Sequence, residues 1–395
     1  MKKRRRIGGT VKDRQTLTEE IGASQFCLMD LPVAVLHEIL FRLPINSILK
    51  VKFVCRALYK LVSNPDFALN YTKISSVAAF LIPNKLCGDP LRYQNLDLLE
   101  VCDNDKCTIT TFKPKIPGWS KRISGFLFAG ICNGLICLSL RESQTEIVYI
   151  CNPIMGECMP LPERKIELGE DVDAEYGFGF CRSTNNYKVL RIVCKPGSEL
   201  SKREGKIFTI GIDHRWRDLG NPTIPYKYFF NNFIAVSGVL HWIVMDNDST
   251  WICTFDLGEE KIGQLLHPHG LVLNRHTKLK SLNNQLCLVD IYDPSVTVIW
   301  KMKEYGVAES WTKDVILDYS FSSNLRCRRL FPETIFQNGD IFFSSELGDY
   351  LILYNPMEGR LTRSQVRSYE RITYTPSFLS LKEAVMGGHK STMNV

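Results

Sequence analysis

The amino-acid sequence predicts a small all-α unit of three helices followed by an all-β, propeller-like domain of about six blades. Three observations carry that expectation. Apolar residues recur at three-and-four spacing between Leu31 and Phe67, and short strands take over from about residue 70. The strand region then repeats its turn pairs at positions 134, 186, 238, 284 and 339, in steps of 52, 52, 46 and 55 residues. The boundaries read as a basic tail over 1–26, the helical unit over 27–68, the strand domain over 69–385 and a short tail over 386–395.

Composition narrows the function classes. With 395 residues, 45% hydrophobic and 23% charged, the chain has material for roughly two globular units. Lysine and arginine number 49 against 42 acidic residues, a net charge of +7, and Lys2, Lys3, Arg4, Arg5 and Arg6 supply five of those charges. The rest is nearly neutral, which disfavours a nucleic-acid groove lined with phosphate-binding cations. The basic run itself reads equally as a nuclear-import signal or as a solvated tail. No apolar run approaches the roughly 20 residues that cross a bilayer, and Gly8, Gly9 and a polar stretch follow where a signal peptide would place its apolar core. A soluble chain, cytoplasmic or nuclear and without a membrane partner, is expected. The fourteen cysteines are scattered, mostly in apolar strands, and read as reduced core residues. Cys102 with Cys107, and Cys132 with Cys137, lack zinc-ribbon spacing, so neither a metal nor a cofactor is expected.

In the helical unit Pro32 suits a first turn, and Leu31, Val35, Leu36, Ile39, Leu40 and Leu43 line one face before Pro44 stops the helix. Asn46 or Ser47 caps a second segment. Its Ile48, Leu49, Val51, Phe53, Val54, Leu58, Leu61 and Val62 are too many apolar residues for one narrow stripe, and Asn64-Pro65 closes the unit. At this size, near the roughly 40 residues below which a domain rarely folds unaided, it needs a surface to lean on. That surface is either its own chain or a partner helix.

In the strand domain Asn133-Gly134 opens Leu135 to Leu140, Asn185-Asn186 opens Tyr187 to Val193, and Ser237-Gly238 opens Val239 to Val244. Asn283-Asn284 and Asn338-Gly339 open two more copies, and Val77 to Phe112 supplies a further one. Such pairs accept positive φ at little cost. Ser377 to Leu381 is expected to close the ring on an early strand.

Catalytic signals are weak. His241 lies between Leu240 and Trp242 and reads as a packing histidine; His267 and His269 flank Pro268 in a loop. No nucleophile elbow, phosphate loop or metalloprotease helix occurs. The acidic group Glu167, Glu170, Asp171, Asp173 and Glu175 and the basic group Arg326, Arg328 and Arg329 read as solvated surface. Trp216, Trp242, Trp251, Trp300 and Trp311 suit blade packing. Loops 163–175, 195–206 and 318–332 vary in length and charge between similar blades, which suits recognition on a rigid scaffold.

Two resemblances add to this reading. Leu31 to Phe67 resembles an F-box through Leu31-Pro32, Glu38-Ile39-Leu40, Arg42-Leu43-Pro44, Ser47-Ile48-Leu49, Val54-Cys55-Arg56, Pro65 and Phe67. It departs at Ala34, where an acidic residue is usual, and at Leu58, where a tryptophan is usual. The remainder resembles the plant F-box-associated domain, also described as an F-box/kelch-repeat type. This rests on Asn133 to Cys137, Asn152-Pro153, Tyr176 to Phe180, Tyr187-Lys188-Val189, Gly238 to Trp242, Phe255-Asp256-Leu257 and Ser377 to Leu381. True kelch signatures are not clearly repeated. The resemblance implies a non-catalytic substrate receptor of a SKP–cullin–F-box ubiquitin ligase, bound to a SKP-family adaptor and through it to a cullin, with an unknown target protein. It also implies adaptor contacts from Leu31, Pro32, Leu36, Ile39, Leu40, Leu43, Pro44, Ile48, Val54 and Leu58. An adaptor-independent scaffold, a nucleic-acid-binding propeller and a propeller enzyme with polar residues in its channel stay open as alternatives.

Overall fold

The computed structural model describes residues 28–386 apart from 75–77, 87–88, 103–105, 113–125, 143–144, 166–173, 195–202, 221–232, 246–248, 275, 321–328, 337, 346–349 and 366–371. Both tails therefore lie outside the described residues. So do Glu167, Glu170, Asp171, Asp173, Arg326 and Arg328.

The chain begins with a 3-10 turn at Leu28–Asp30, followed by α1 (Val33–Phe41), α2 (Ile45–Val51), α3 (Arg56–Val62) and α4 (Pro65–Ile74). Three helices were expected and four form. The long second segment breaks at Cys55, whose extended backbone ends one helix while its Sγ accepts the Leu58 N–H and starts the next. Asn64-Pro65 does not close the unit. Proline at a first helical position sacrifices no hydrogen bond, and the Asn64 side chain accepts the Asp66 N–H at 2.9 Å, so the pair opens α4.

Antiparallel sheets follow. The first holds β1 (Ala78–Leu86), β2 (Asp89–Cys102) and β3 (Lys106–Phe112). The second holds β4 (Leu127–Cys132), β5 (Leu135–Glu142), β6 (Thr145–Asn152), β7 (Glu157–Pro160) and β8 (Arg164–Lys165). The third runs β9 (Ala174–Cys181), β10 (Asn186–Cys194), β11 (Arg203–Thr209) and β12 (Arg217–Asp218). The fourth runs β13 (Ile234–Val236), β14 (Val239–Met245), β15 (Thr250–Asp256) and β16 (Lys261–Leu265). The fifth runs β17 (Thr277–Leu282), β18 (Gln285–Asp290), β19 (Val296–Met302) and β20 (Trp311–Asp318). The sixth runs β21 (Leu330–Ile335), β22 (Ile341–Ser345), β23 (Tyr350–Asn355) and β24 (Arg360–Gln365). Finally β25 (Ile372–Tyr374) returns to pair with β1, and α5 (Leu381–Met386) ends the described chain.

The first strands β4, β9, β13, β17, β21 and β25 meet in succession, and β4 also touches β2, so the sheets surround a common axis. The turn pairs behave as their residue types require: Asn133-Gly134 (φ 49° and 75°), Ser237-Gly238 (53° and 81°) and Asn283-Asn284 (50° and 59°) are left-handed at both positions. Each recognised repeat proves to be the second and third strands of one sheet.

Two expectations are corrected. The strand that meets β1 is Ile372–Tyr374, whereas Ser377 to Leu379 runs as coil held by a side chain. The Asn152 amide donates to Ser377 O at 3.1 Å and Leu379 O at 2.7 Å, while its carbonyl accepts from Ile154 and Met155 N–H. A strand ladder is unnecessary where a buried amide satisfies those carbonyls. The cysteines are also not all reduced: Cys151 and Cys158 form a disulfide across β6 and β7. Antiparallel register sets them directly opposite, with Cα atoms 4.1 Å apart.

The helices share one core with the first two sheets. Leu40, Phe41, Ile45, Ile48, Val62, Phe67 and Tyr71 pack with Leu81, Leu96, Leu98, Ile136, Leu138 and Phe378. Glu100 of β2, almost fully buried, accepts the Ile45 N–H at the start of α2 at 2.7 Å, and its other oxygen has no partner among the described residues. Burial raises the Glu100 carboxyl above its ordinary range, against the smaller opposing effect of the Ile45 N–H. The folded chain therefore binds that proton more tightly than the unfolded chain, and stability falls as pH rises through the raised value. Glu100→Gln keeps the accepting oxygen and removes the charge. Thermal melts should show this variant at least as stable as the parent at pH 8, with the advantage shrinking towards pH 5; a loss above about 1 kcal/mol at pH 8 would contradict the account.

Candidate docking surface

α1 is apolar over more than one face. Leu36, Leu40 and Phe41 turn inward and are buried, while Pro32, Val35 and Ile39, at three-and-four spacing, stand outside. Leu31, Leu43 and Pro44 are half-buried at the edge between the two faces. Ile48 and Leu58 are buried from α2 and α3. Four of the ten residues implied as adaptor contacts, Leu36, Leu40, Ile48 and Leu58, are therefore core residues that shape the unit from within. Ile39 and Val54, 38% and 70% exposed, and Pro32 form the outward part of that set.

The same helical unit exposes residues that spacing alone did not select. Phe53, in the turn between α2 and α3, is 89% exposed, and Leu28, Val33 and Tyr59 are each about half exposed. Among the described residues, seven of the fourteen large exposed apolar side chains lie between Leu28 and Tyr59, a concentration typical of an interaction surface and not of scattered surface apolar groups. Arg42, Lys50, Arg56 and Lys60 are exposed on the same helices and give the unit a basic margin. A helical wheel of α1, with two adjoining apolar arcs, is the sequence signal for Val35 and Ile39. Phe53 carries no periodic signal because it sits in a turn.

His241 is fully buried with both ring nitrogens engaged, Nδ1 with Ile234 O at 3.1 Å and Nε2 with the Tyr305 hydroxyl at 2.8 Å, and burial lowers it to about 4. It ties β13 to the Tyr305 loop. Trp216 and Trp311 donate from Nε1 to Pro162 O and Leu266 O, and Trp242 is buried in the third and fourth sheets' shared core. Ion pairs fasten neighbouring sheets, one buried, Arg191 with Glu146 at 2.9 Å, and two half-buried, Lys188 with Glu260 at 2.8 Å and Lys280 with Glu333 at 2.8 Å.

Strand direction sorts the connections. The C-terminal ends of β8, β10 and β20 fall at one face of the ring. Most residues of the loops 163–175, 195–206 and 318–332 lie outside the described residues. The helices meet the opposite end, where the Lys52 ammonium lies 3.5 Å from Met155 Sδ in the β6–β7 turn.

A match to the F-box associated beta propeller domain covers residues 100–385, more than half of the chain, and a match to the F-box domain covers 28–70. The chain belongs to the F-box-associated β-propeller family. It is 29% identical to the F-box protein At3g07870 of Arabidopsis thaliana over 91% of this chain and 88% of that one. It is 25% identical to the F-box/kelch-repeat protein At3g23880 over 75% and 81%, and 25% identical to the F-box protein CPR1 over 72% and 72%, both of the same plant. The exposed apolar residues are thus residues of the F-box. Its departure at Leu58 falls on a buried position and acts on the packing of α3, while Ala34 is exposed at the start of α1.

Proposed function

We propose that this chain is the substrate-recognition subunit of a SKP–cullin–F-box ubiquitin ligase, with the F-box docking a SKP-family adaptor and the ring carrying the target. The chain contributes no chemistry of its own. It acts by holding the target near a separate conjugating enzyme, which turns a bimolecular encounter into a local one. The six sheets then act as six blades of one rigid support.

The observation that carries this reading is the two-sidedness of the F-box. One side is merged with the first two sheets, which meets its need for a packing partner. The other leaves Val35, Ile39, Phe53, Val54 and Tyr59 in water, at a cost of roughly 25 cal/mol per Å² that a partner helix would recover. The basic margin favours an acidic partner. The ends of β8, β10 and β20 lie at the far face, so a target held there would not compete with the adaptor for space.

Reconstitution tests the proposal. The full-length chain mixed with a purified SKP-type adaptor and a cullin N-terminal segment should elute from a size-exclusion column as one ternary species. Separate elution of chain and adaptor at about 10 μM would refute adaptor docking, since a specific interface of standard size holds at that concentration.

A further inference from the structure

We propose that Cys151 and Cys158 form a reversible redox clasp at the joint between the F-box and the ring, closed to the disulfide by a hydroperoxide and reopened to two thiols by glutathione. The inference goes beyond the ligase reading and rests on it only for the compartment. A ligase subunit works where thiols are kept reduced, and a disulfide there is usually transient, serving as a sensor and not as a permanent brace.

Position gives the pair its leverage. β7 is four residues long and lies at the edge of its sheet, held to β6 by four residue pairs, of which Cys151 with Cys158 is one. The turn between the two strands is where three parts of the chain converge. Its Ile154 is buried in the core that the helices share with the first two sheets, and Asn152 holds Ser377 O and Leu379 O of the closing segment. Glu157 accepts the Leu381 N–H at the start of α5. Lys52, at the end of α2, reaches Met155 Sδ and feels the charges of Glu157 and Glu383. A bond between Cys151 and Cys158 therefore fixes the seat on which α2 and α5 both rest, whereas two thiols leave that seat to a short edge ladder of low local stability.

Access and register make the chemistry reversible. Cys151 is fully buried, but Cys158 is half-buried on the edge strand and is the sulfur that a reagent reaches first. Its thiolate attacks one oxygen of the peroxide, the O–O bond breaks, and the departing hydroxide takes the thiol proton and leaves as water, with a sulfenic acid on Cys158. The Cys151 thiol then displaces the sulfenic hydroxyl, which leaves as a second water with the Cys151 proton. Two thiols have lost two electrons and the peroxide has gained them. Antiparallel register sets the two Cα atoms 4.1 Å apart, so the bridge closes by side-chain rotation with the ladder in place. In reverse, a glutathione thiolate attacks Cys158 and releases Cys151, and a second glutathione removes the first as its disulfide. Cys137, Cys253 and Cys287 are free and buried, and burial pushes their thiols up, so they are poor competitors for the oxidant.

The test divides the full-length chain between about 5 mM glutathione and about 100 μM hydrogen peroxide, then returns part of the oxidised sample to glutathione. Each portion is quenched, unfolded and treated with N-ethylmaleimide, and the peptides are weighed. The peptide holding Cys151 and Cys158 should carry two maleimides after glutathione, none after peroxide and two again after the return, while Cys137, Cys253 and Cys287 stay labelled throughout. Amide hydrogen exchange over residues 149–160 and 381–386 should be at least about ten-fold slower in the oxidised chain. Cys158→Ser should fold with the melting curve of the reduced parent and show the same exchange with and without peroxide. A pair that peroxide leaves as thiols, a disulfide that resists glutathione, or equal exchange in the two forms of the parent would overturn the proposal. So would a peroxide effect on exchange that persists in Cys158→Ser. Adaptor capture on the reduced portion separates the two readings: capture with a pair that does not cycle sinks the clasp alone, and a cycling pair without capture sinks the ligase reading alone.

Discussion

Ile39→Asp combined with Val54→Asp should lower adaptor affinity by at least about 100-fold while the chain stays folded. Each aspartate would be carried into the docked surface without a partner, at about 1 to 3 kcal/mol apiece on protein scales, and 1.4 kcal/mol is a factor of ten. In the free chain both positions face water, so no such cost arises on folding. The melting temperature should move by less than about 2 °C, as for ordinary surface substitutions. Leu40→Asp is the contrasting variant. Leu40 is buried in the core that joins the F-box to the sheets, and a charge there should melt that core and remove binding by a different route. Titration calorimetry with circular dichroism on all three proteins distinguishes the cases; a folded Ile39→Asp/Val54→Asp chain that binds normally would place the adaptor elsewhere.

Gly134→Ala should destabilise the ring by about 2 to 5 kcal/mol, a large part of the 5 to 15 kcal/mol that holds a domain together. Gly134 lies at φ 75°, where a Cβ costs about 1 to 2 kcal/mol. That Cβ would also stand 2.4 Å from Ser377 Cβ and 2.8 Å from both Ser377 N and Thr375 O, so the closing segment must move. Overpacking of that kind adds about 1 to 3 kcal/mol. Movement there loosens the Tyr374 hydroxyl from Gly134 O and Ser377 O from Asn152, the bonds that hold the end of the ring to its second sheet. Gly156→Ala is the control, because Gly156 has φ 67° with nothing within 4 Å and incurs only the backbone cost. Urea unfolding of the two variants side by side should separate them by about 1 to 3 kcal/mol; equal midpoints would mean that the closing segment is not clamped at Gly134.

The repeat was legible because the second and third strands of each sheet are flanked on both sides. They are long, apolar and preceded by residues that accept left-handed φ, as with Leu135 to Leu140 after Asn133-Gly134. First and fourth strands are harder to see. β9 alternates aromatic residues with Gly177 and Gly179, where a Cβ would meet Leu240 and Leu257 side chains, and β12 is only Arg217–Asp218. β9 therefore alternates aromatic with glycine where an ordinary strand alternates apolar with polar, and β12 is too short for any period to be counted. The closing strand was misread for a similar reason. Ser377 to Leu381 looks like a strand, yet its carbonyls are taken by the Asn152 amide from more than two hundred residues away.

The docking surface was half legible. Helical spacing identifies which α1 residues are apolar, and both Leu36 and Ile39 satisfy it. Which of them faces a partner depends on which arc of α1 the ring covers. The buried Arg191–Glu146 pair between the second and third sheets left no mark at all, since the two residues lie 45 positions apart and each reads as an ordinary strand charge.

Local pattern, then, determined the helical unit, the strand repeat, its turns and the kinship they imply, because backbone geometry answers to neighbours a few residues apart. Exposure, ring closure and the Cys151–Cys158 pairing were decided only by the assembled fold. Those properties depend on what lies across a boundary between sheets or helices, and no short stretch of chain contains both sides.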